Sequence, residues 1–260
     1  PQKVLEKAAK AVLNFNNDNL SLLEISHRSN PFINVMTKAK NLVKELLEVP
    51  EGYSVLFLQG GASLEFLMTP LNLMRDNGKA AYINTGTWAT KAIKEARNIG
   101  EVVIVGDSSD KQYSYIPKEY TIPNDVDYFH CTSNNTIYGT QIKKFPICPT
   151  LMVCDMSSDI FSRKIDVNQF DIIYAGAQKN IGPAGTTLVI LRNKVLGKTG
   201  RSIPTMLDYK THIDKDSMFN TPPVFSIYVS MLNLQWIKEL DGIEKIEKIN
   251  QKKADLLYSE

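Results

Sequence analysis

Residues 150–192 read TLMVCDMSSDIFSRKIDVNQFDIIYAGAQKNIGPAGTTLVILR and contain three short apolar runs. The runs are TLMVCDMS (150–157), DIIYAGAQ (171–178) and TTLVILR (186–192). Their centres are continuously apolar, which is typical of strands that are buried on both faces of a sheet. The second and third runs lie too close together for a helix between them, so we predict that this pair is antiparallel.

Four further runs of the same kind precede this region. They are YSVLFLQG (53–60), AAYINTG (80–86), EVVIVG (101–106) and DYFHCTSN (127–134). Helical patterns separate some of them, notably at residues 63–77 and 88–98. The sequence therefore predicts an α/β fold in which a mostly parallel seven-stranded sheet carries helices on both faces.

Composition limits the class of protein. Hydrophobic residues make up 43% and charged residues 22% of the 260 residues, as in water-soluble globular proteins. The formal net charge of +2 gives no electrostatic reason to expect nucleic acid or an anionic membrane as a partner. No apolar run approaches the roughly 18 residues that a membrane-spanning helix needs. The cysteines lack metal-ligand spacing, and we expect Cys131 and Cys154 to be buried free thiols in a cytoplasmic protein.

Candidate functional residues follow the predicted strands, because ligands of open α/β sheets bind at the carboxyl ends of the strands. The first strand leads into QGGAS (59–63) and then a helix. Such a glycine turn presents free backbone N–H groups and the positive end of a helix dipole, which together suit a phosphate. The alternative is a tight turn that Ser63 caps.

An acid and a lysine follow two later strands. Asp155 lies near the end of TLMVCDMS (150–157), and Lys179 follows DIIYAGAQ (171–178) within the small-residue string GAQKNIGPAG. Each has an ordinary alternative, since Asp155 could cap a turn and Lys179 could be a loop lysine. A phosphate cradle, an acid and a lysine at one sheet edge together indicate an aldehyde cofactor with a phosphate group.

Seven strings of the sequence occur in the same order in a known enzyme family. They are SHRSNPF (26–32), LQGGASLEF (58–66), NTGTWATKA (84–92), TSNNTIYGT (132–140), CDMSSDIFSRKIDV (154–167), YAGAQKNIGPAG (174–185) and SMFNTPP (217–223). They span nearly the whole chain, and YAGAQKNIGPAG is highly specific. On these strings the sequence resembles the class V aminotransferases of the fold-type-I pyridoxal-phosphate enzymes, and within them the phosphoserine aminotransferases.

The resemblance implies a role for each residue that contacts the cofactor, pyridoxal 5'-phosphate. Lys179 would form the Schiff base and then move the proton, and Asp155 would pair with the pyridinium nitrogen. Ala62 and Ser63 would give their N–H groups to the phosphate, with Gln178 assisting. Many relatives carry Arg at position 63, so Ser63 would remove one charge partner of the phosphate.

Further roles are implied around the ring and the substrate. Trp88 would stack on the ring, and Thr136 would bond near its phenolic oxygen. Asn220 and Thr221 would reach the cofactor phosphate of a neighbouring subunit, so the resemblance implies a homodimer with shared sites. A separate set would bind the acid groups of the substrate, namely His27 and Arg28. The alternatives are a core role for Trp88, a turn role for Thr136 and a packing role for Gln178 and His27.

For domain organisation we expect an N-terminal segment at 1–15 and a large domain at 16–240. Residues 241–260 would then begin a helix that leads to the family's small C-terminal domain, outside this sequence. We expect the two other histidines to have structural roles, with His130 in the core and His212 in an exposed loop.

The resemblance implies the interconversion of O-phospho-L-serine and 2-oxoglutarate with 3-phosphohydroxypyruvate and L-glutamate in serine biosynthesis. The related phosphohydroxythreonine reaction of pyridoxine synthesis is a further expectation. One alternative is another class V enzyme such as a cysteine desulfurase, although those usually carry His at the positions of Gln178 and Trp88. Others are a non-catalytic phosphate-binding module and a folded but inactive fragment.

Overall fold

A computed structural model describes residues 1–259 of the chain. Its α-helices are α1 (Gln2–Leu13), α2 (Asn30–Leu46), α3 (Gly61–Leu73), α4 (Thr87–Ala96), α5 (Tyr209–Asp214), α6 (Val224–Glu239) and α7 (Ile243–Tyr258). Its strands are β1 (Tyr53–Leu58), β2 (Lys79–Asn84), β3 (Glu101–Asp107), β4 (Tyr128–Thr132), β5 (Asn134–Asn135), β6 (Thr140–Gln141), β7 (Leu151–Asp155), β8 (Ile172–Gly176) and β9 (Thr187–Arg192).

Seven strands form one sheet in the order β1-β9-β8-β7-β4-β2-β3. Strand β9 runs antiparallel to both of its neighbours, β1 and β8. The other neighbouring pairs of this sheet are parallel. The predicted mostly parallel seven-stranded sheet is therefore confirmed, as is the antiparallel arrangement of its last two strands.

Six of the seven strands are buried on both faces, which explains their continuously apolar centres, whereas the edge strand β3 is only partly covered. In β8, Ile173 and Ala175 belong to a core that includes residues of α1, α2 and α6. The alternate residues Ile172 and Tyr174 belong to a second core that includes residues of α3, α4 and α5. Helices therefore cover both faces, as predicted. Among residues 1–259, no helix has both the length and the apolar character that crossing a bilayer would require.

Both ends of the described chain are helical. Helix α1 packs on α6 and buries Val4, Ala8 and Ala11. Helix α7 buries Ile243 near its start, whereas Leu256 and Leu257 near its end are largely exposed.

Several parallel strands direct their carboxyl ends to one edge of the sheet. Asp155 ends β7 and is the register partner of Thr132, which ends β4. Strand β8 ends at Gly176, three residues before Lys179. The parallel geometry thus brings the predicted acid and the predicted lysine to the same edge.

Candidate active site

The buried carboxylate of Asp155 accepts hydrogen bonds from a single residue, Ser157. The backbone N–H of Ser157 donates to Asp155 Oδ1 at 2.9 Å, and Ser157 Oγ donates to the same oxygen at 2.6 Å. Burial raises the pKa of Asp155 to about 6, although the Ser157 bonds and the charge of nearby Lys179 act in the opposite direction. A cation at this carboxylate would relieve the cost of its burial.

Lys179 lies on the turn that follows β8 and is exposed. Its Nζ donates a hydrogen bond of 3.1 Å to Thr136 Oγ1. The turn itself is anchored, because Asn180 Nδ2 donates to the carbonyl of Ile160 at 3.0 Å and Asn233 Nδ2 donates to the carbonyl of Asn180 at 2.8 Å. The amine of Lys179 is thus accessible, and the turn that carries it is fixed by hydrogen bonds.

The turn that leads into α3, residues 60–63, is a candidate anion cradle. Gly60 is the N-cap residue of α3 and has a φ of +92°, a left-handed conformation that favours glycine. No side chain caps the N-terminus of this helix. The first turn of α3 contains no acid, and the N–H groups of Ala62 and Ser63 have no hydrogen-bond acceptor among the described residues. Free N–H groups at a helix N-terminus attract an anion such as phosphate. The alternative in which Ser63 caps the turn is wrong, since Ser63 lies inside the helix.

Trp88 is the second residue of α4, on the segment that follows β2. Its side chain is half-buried against the core on the α3 side of the sheet. Lys91 Nζ lies 4.6 Å from the centroid of its ring. The packing of Trp88 leaves part of the ring open, so its predicted stacking role stays a prediction.

The loop before α6 lies beside the anion cradle of its own chain. Gln59 Nε2 donates to the carbonyl of Thr221 at 2.8 Å, and both Asn220 and Thr221 are exposed. Asn220 also lines a cavity of about 40 Å³ with Gln59 and Leu64. Sharing of these residues with a second subunit stays a prediction, as does the phosphate contact of Gln178, an exposed residue in the turn after β8.

His27 and Arg28 precede α2, and no hydrogen bond or ion pair within residues 1–259 joins them to the other predicted site residues. Arg28 is exposed. His27 is half-buried, and its Nε2 is enclosed without a hydrogen-bond partner in the described part of the chain. Their predicted substrate role therefore remains a prediction.

The other two histidines are both structural. His130 lies in the core as predicted, where its Nε2 is 2.7 Å from the hydroxyl of Tyr174 and burial lowers its pKa to about 3. The assignment of His212 to an exposed loop is wrong. It lies in α5, is buried, and its Nε2 is 2.9 Å from the carbonyl oxygen of Met206.

Ser157 is the site residue that the sequence reasoning missed. The signal was present, because an Asp side chain often accepts the N–H of the residue two positions later in a turn. Asp159 and Arg163 were also missed. They form an ion pair of 3.2 Å in the segment that follows Asp155, and no spacing rule connects them to the site.

Known proteins resemble this chain over its whole length. The family model described as aminotransferase class-V matches residues 1–260. A phosphoserine aminotransferase of Flavobacterium johnsoniae is 64% identical over an alignment of 261 positions, which covers 100% of this chain and 73% of the relative.

Two solved structures share the fold of the whole chain. One is described as radiation damage of the Schiff base in phosphoserine aminotransferase, with 48% identity and a TM-score of 0.96, covering 100% of this chain and 73% of the other. The second is a PLP-bound phosphoserine aminotransferase from Trichomonas vaginalis, with 33% identity and a TM-score of 0.93, covering 99% and 73%. The chain belongs to the class V aminotransferase family, and its phosphoserine aminotransferase relatives indicate a pyridoxal-phosphate-dependent transaminase.

Proposed function

We propose that the chain binds pyridoxal 5'-phosphate through a Schiff base on Lys179 and interconverts O-phospho-L-serine plus 2-oxoglutarate with 3-phosphohydroxypyruvate plus L-glutamate. The observation that carries this proposal is the placement of an accessible Lys179 Nζ and a buried Asp155 carboxylate at the ends of neighbouring strands. The substrate follows from the phosphoserine aminotransferase relative that is 64% identical. When bound, the cofactor supplies an aldehyde for amines and a ring that accepts an electron pair.

The residues present fit this cofactor. Asp155 Oδ1 accepts both Ser157 bonds, and Oδ2 has no hydrogen bond from the described residues. That oxygen suits the protonated ring nitrogen, whose charge would stabilise the ionised carboxylate. The open N–H groups of Ala62 and Ser63 suit the phosphate without a charged side chain.

Lys179 has the second task of carrying a proton. As the neutral amine, its Nζ would accept a proton from the substrate and return it, and Thr136 Oγ1 would orient it. Trp88 would cover one face of the ring and exclude water. For the two substrate acids, we assign Arg28 as a bidentate donor and His27 as its neighbour. Asn220 and Thr221 would complete the phosphate site from the second subunit of a homodimer.

Borohydride reduction tests the attachment point. The treated protein, reconstituted with pyridoxal phosphate, should carry the cofactor on the peptide that contains Lys179, as read by mass spectrometry. Lys91, the exposed lysine that lies over Trp88, is the internal comparison and should remain unmodified. Modification of any lysine other than Lys179 would contradict the proposal.

A further inference from the structure

The hydroxyl that orients Lys179 belongs to a very small hairpin. Strands β5 and β6 have two residues each, and Thr136 lies in the exposed connection between them. Two-stranded hairpins are marginal in isolation even when they are longer than this one. The position of Thr136 must therefore depend on contacts outside the hairpin.

The carboxylate of Asp159 supplies those contacts at both ends of the hairpin. Ser133 Oγ, just before β5, donates to Asp159 Oδ1. Gln141 Nε2, at the end of β6, donates to Oδ2 at 3.0 Å. One carboxylate thus bridges the two chain ends of the hairpin, beside the backbone bond of 2.7 Å from the Ile142 N–H to the Ser133 carbonyl.

Arg163 completes the arrangement. Its Nη2 lies 3.2 Å from Asp159 Oδ2 and donates to the carbonyl of Ile142 at 2.8 Å. The side chains of Asp159 and Arg163 are only 5% and 14% exposed. A buried carboxylate is costly unless it is paired, so Arg163 makes this placement of Asp159 possible.

The same segment also holds the other reacting groups. It begins at Asp155, and its Ile160 carbonyl accepts the Asn180 bond that anchors the turn next to Lys179. Ser158 Oγ accepts from Asn134 Nδ2 at 2.9 Å, which is a third link to the hairpin. Residues 155–163 therefore form the common support of the acid, the lysine turn and the hairpin.

We propose that Asp159, paired with Arg163, is a positioning residue that keeps Thr136 Oγ1 on Lys179 Nζ. The proposal rests on the assignment of Lys179 as the reactive amine. It implies that Asp159 acts on Lys179 only through Thr136.

A double-mutant cycle in the cofactor-free protein tests this route. The four proteins are wild type, Asp159→Asn, Thr136→Val and the double variant. The measurement is the acylation rate of Lys179 by a water-soluble amine reagent at neutral pH, read by mass spectrometry of its peptide. Thr136→Val removes the acceptor that holds Nζ in place and frees the amine to reach the reagent, so acylation should accelerate by roughly 2–10-fold.

Asp159→Asn alone should accelerate the acylation of Lys179 almost as much as Thr136→Val does. In a protein that already carries Thr136→Val, Asp159→Asn should leave the acylation rate unchanged. Asp171→Asn is the matched control, because Asp171 forms a partly buried pair with Arg192 at the other ends of the strands, 3.0 Å apart. The control should lower the melting temperature and leave the acylation of Lys179 unchanged. Gln141→Leu removes the bond to Asp159 together with the exposed bond from Lys143 to Gln141 Oε1, and it replaces Asp159→Asn if that variant does not fold.

Two results would overturn the proposal. One is an equal effect of Asp159→Asn with and without the Thr136 hydroxyl, and the other is a loss of stability with no change at Lys179. Borohydride labelling of the reconstituted variants separates this failure from the failure of the proposed function. If the cofactor is attached to Lys179 but the effects of the two substitutions simply add, only the positioning role of Asp159 is rejected. If the cofactor is attached to another lysine, the assignment of Lys179 as the reactive amine is rejected.

Discussion

At the scale of single residues, the chemistry of Asp155 depends on Ser157. Burial raises the pKa of this carboxyl to about 6, and the two hydrogen bonds from Ser157 oppose that rise. Ser157 Oγ also accepts the N–H of Gly176 at 3.1 Å, which links the acid to the end of β8. A small change at Ser157 therefore decides how much of Asp155 is ionised near neutral pH.

Ser157→Ala should raise the pKa of Asp155 further by roughly one unit. A hydrogen bond to a charged group contributes about 1.5–3 kcal/mol, and one pKa unit corresponds to about 1.4 kcal/mol. The backbone N–H of residue 157 still donates to Asp155, so the pKa shift should stay below the value that corresponds to about 3 kcal/mol. Carbon-13 NMR of labelled aspartate carboxyls in the cofactor-free protein measures it directly.

Ser162→Ala is the matched control for this titration. Its hydroxyl donates to the backbone carbonyl of Asp159 in the same segment and does not contact Asp155. An unchanged pKa of Asp155 in Ser157→Ala, or an equal shift in the control, would show that Ser157 does not tune the acid.

The sequence predicted where Asp155 and Lys179 lie better than it predicted the residues that support them. Asp155 and Lys179 could be found because each follows an apolar run, and strand ends are where an α/β sheet presents its site. Ser157 and Asp159 act through distances of a few ångströms that spacing alone does not encode. The error at His212 has a similar cause, since the six-residue helix α5 lies in a loop-rich stretch and is buried by tertiary packing.

At the scale of elements, α3 combines an anion cradle with a buried acid. Glu65 is fully buried, and Tyr209 donates its hydroxyl to Glu65 Oε2 at 2.5 Å. Glu65 Oε1 has no hydrogen-bond partner among the described residues. Burial raises the pKa of Glu65 to about 8, so the side chain is protonated at neutral pH. A neutral acid in α3 leaves the positive end of the helix available for an anion.

Glu65→Gln should stabilise the protein at pH 8 and have little effect at pH 4.5. Because the folded pKa is about 8 and the unfolded value is 4.5, the folded state holds an extra proton between these values. Its stability is therefore lost as the pH rises through that window. Glutamine removes the titration, and we expect a gain of about 2–4 kcal/mol at pH 8.

Denaturant unfolding at the two pH values measures the gain, with Glu51→Gln as an exposed control. If the glutamine variant shows the same stability difference from wild type at both values, Glu65 does not titrate in this window.

The elements themselves were predictable where they were long and apolar. All seven strands of the main sheet were expected from their runs. In six of them burial on both faces leaves a continuous apolar signature, and the edge strand β3 is apolar although it is only partly buried. The hairpin of β5 and β6 has no such signature. Its conformation depends on Asp159, a residue outside it, and local sequence patterns do not report contacts of that kind.

At the scale of the whole molecule, the position of the loop before α6 leaves two possible partners for Asn220 and Thr221. The Gln59 bond to the carbonyl of Thr221 places the loop beside the cradle of its own chain. The exposed side chains are free to contact a second subunit. A closed dimer with two-fold symmetry would repeat such a contact at both sites.

Complementation between two variants distinguishes a shared site from a site within one subunit. We expect Lys179→Ala and the double variant Asn220→Ala/Thr221→Val each to lose transaminase activity as separate proteins. If the loop serves the partner's site, a mixed dimer has one site in which both changes fall together and one site that is intact. Random exchange of subunits at a 1:1 ratio should then restore about a quarter of the wild-type activity.

If the loop serves its own subunit, every site in the mixed dimer carries one of the two changes, and mixing restores nothing. Mixing Lys179→Ala with Asp155→Asn provides the negative control, because those residues lie on the same sheet edge of one chain. Recovery with the loop variant and no recovery with Asp155→Asn would place Asn220 and Thr221 across the dimer interface. Equal results for the two mixtures would instead confine the loop to its own site.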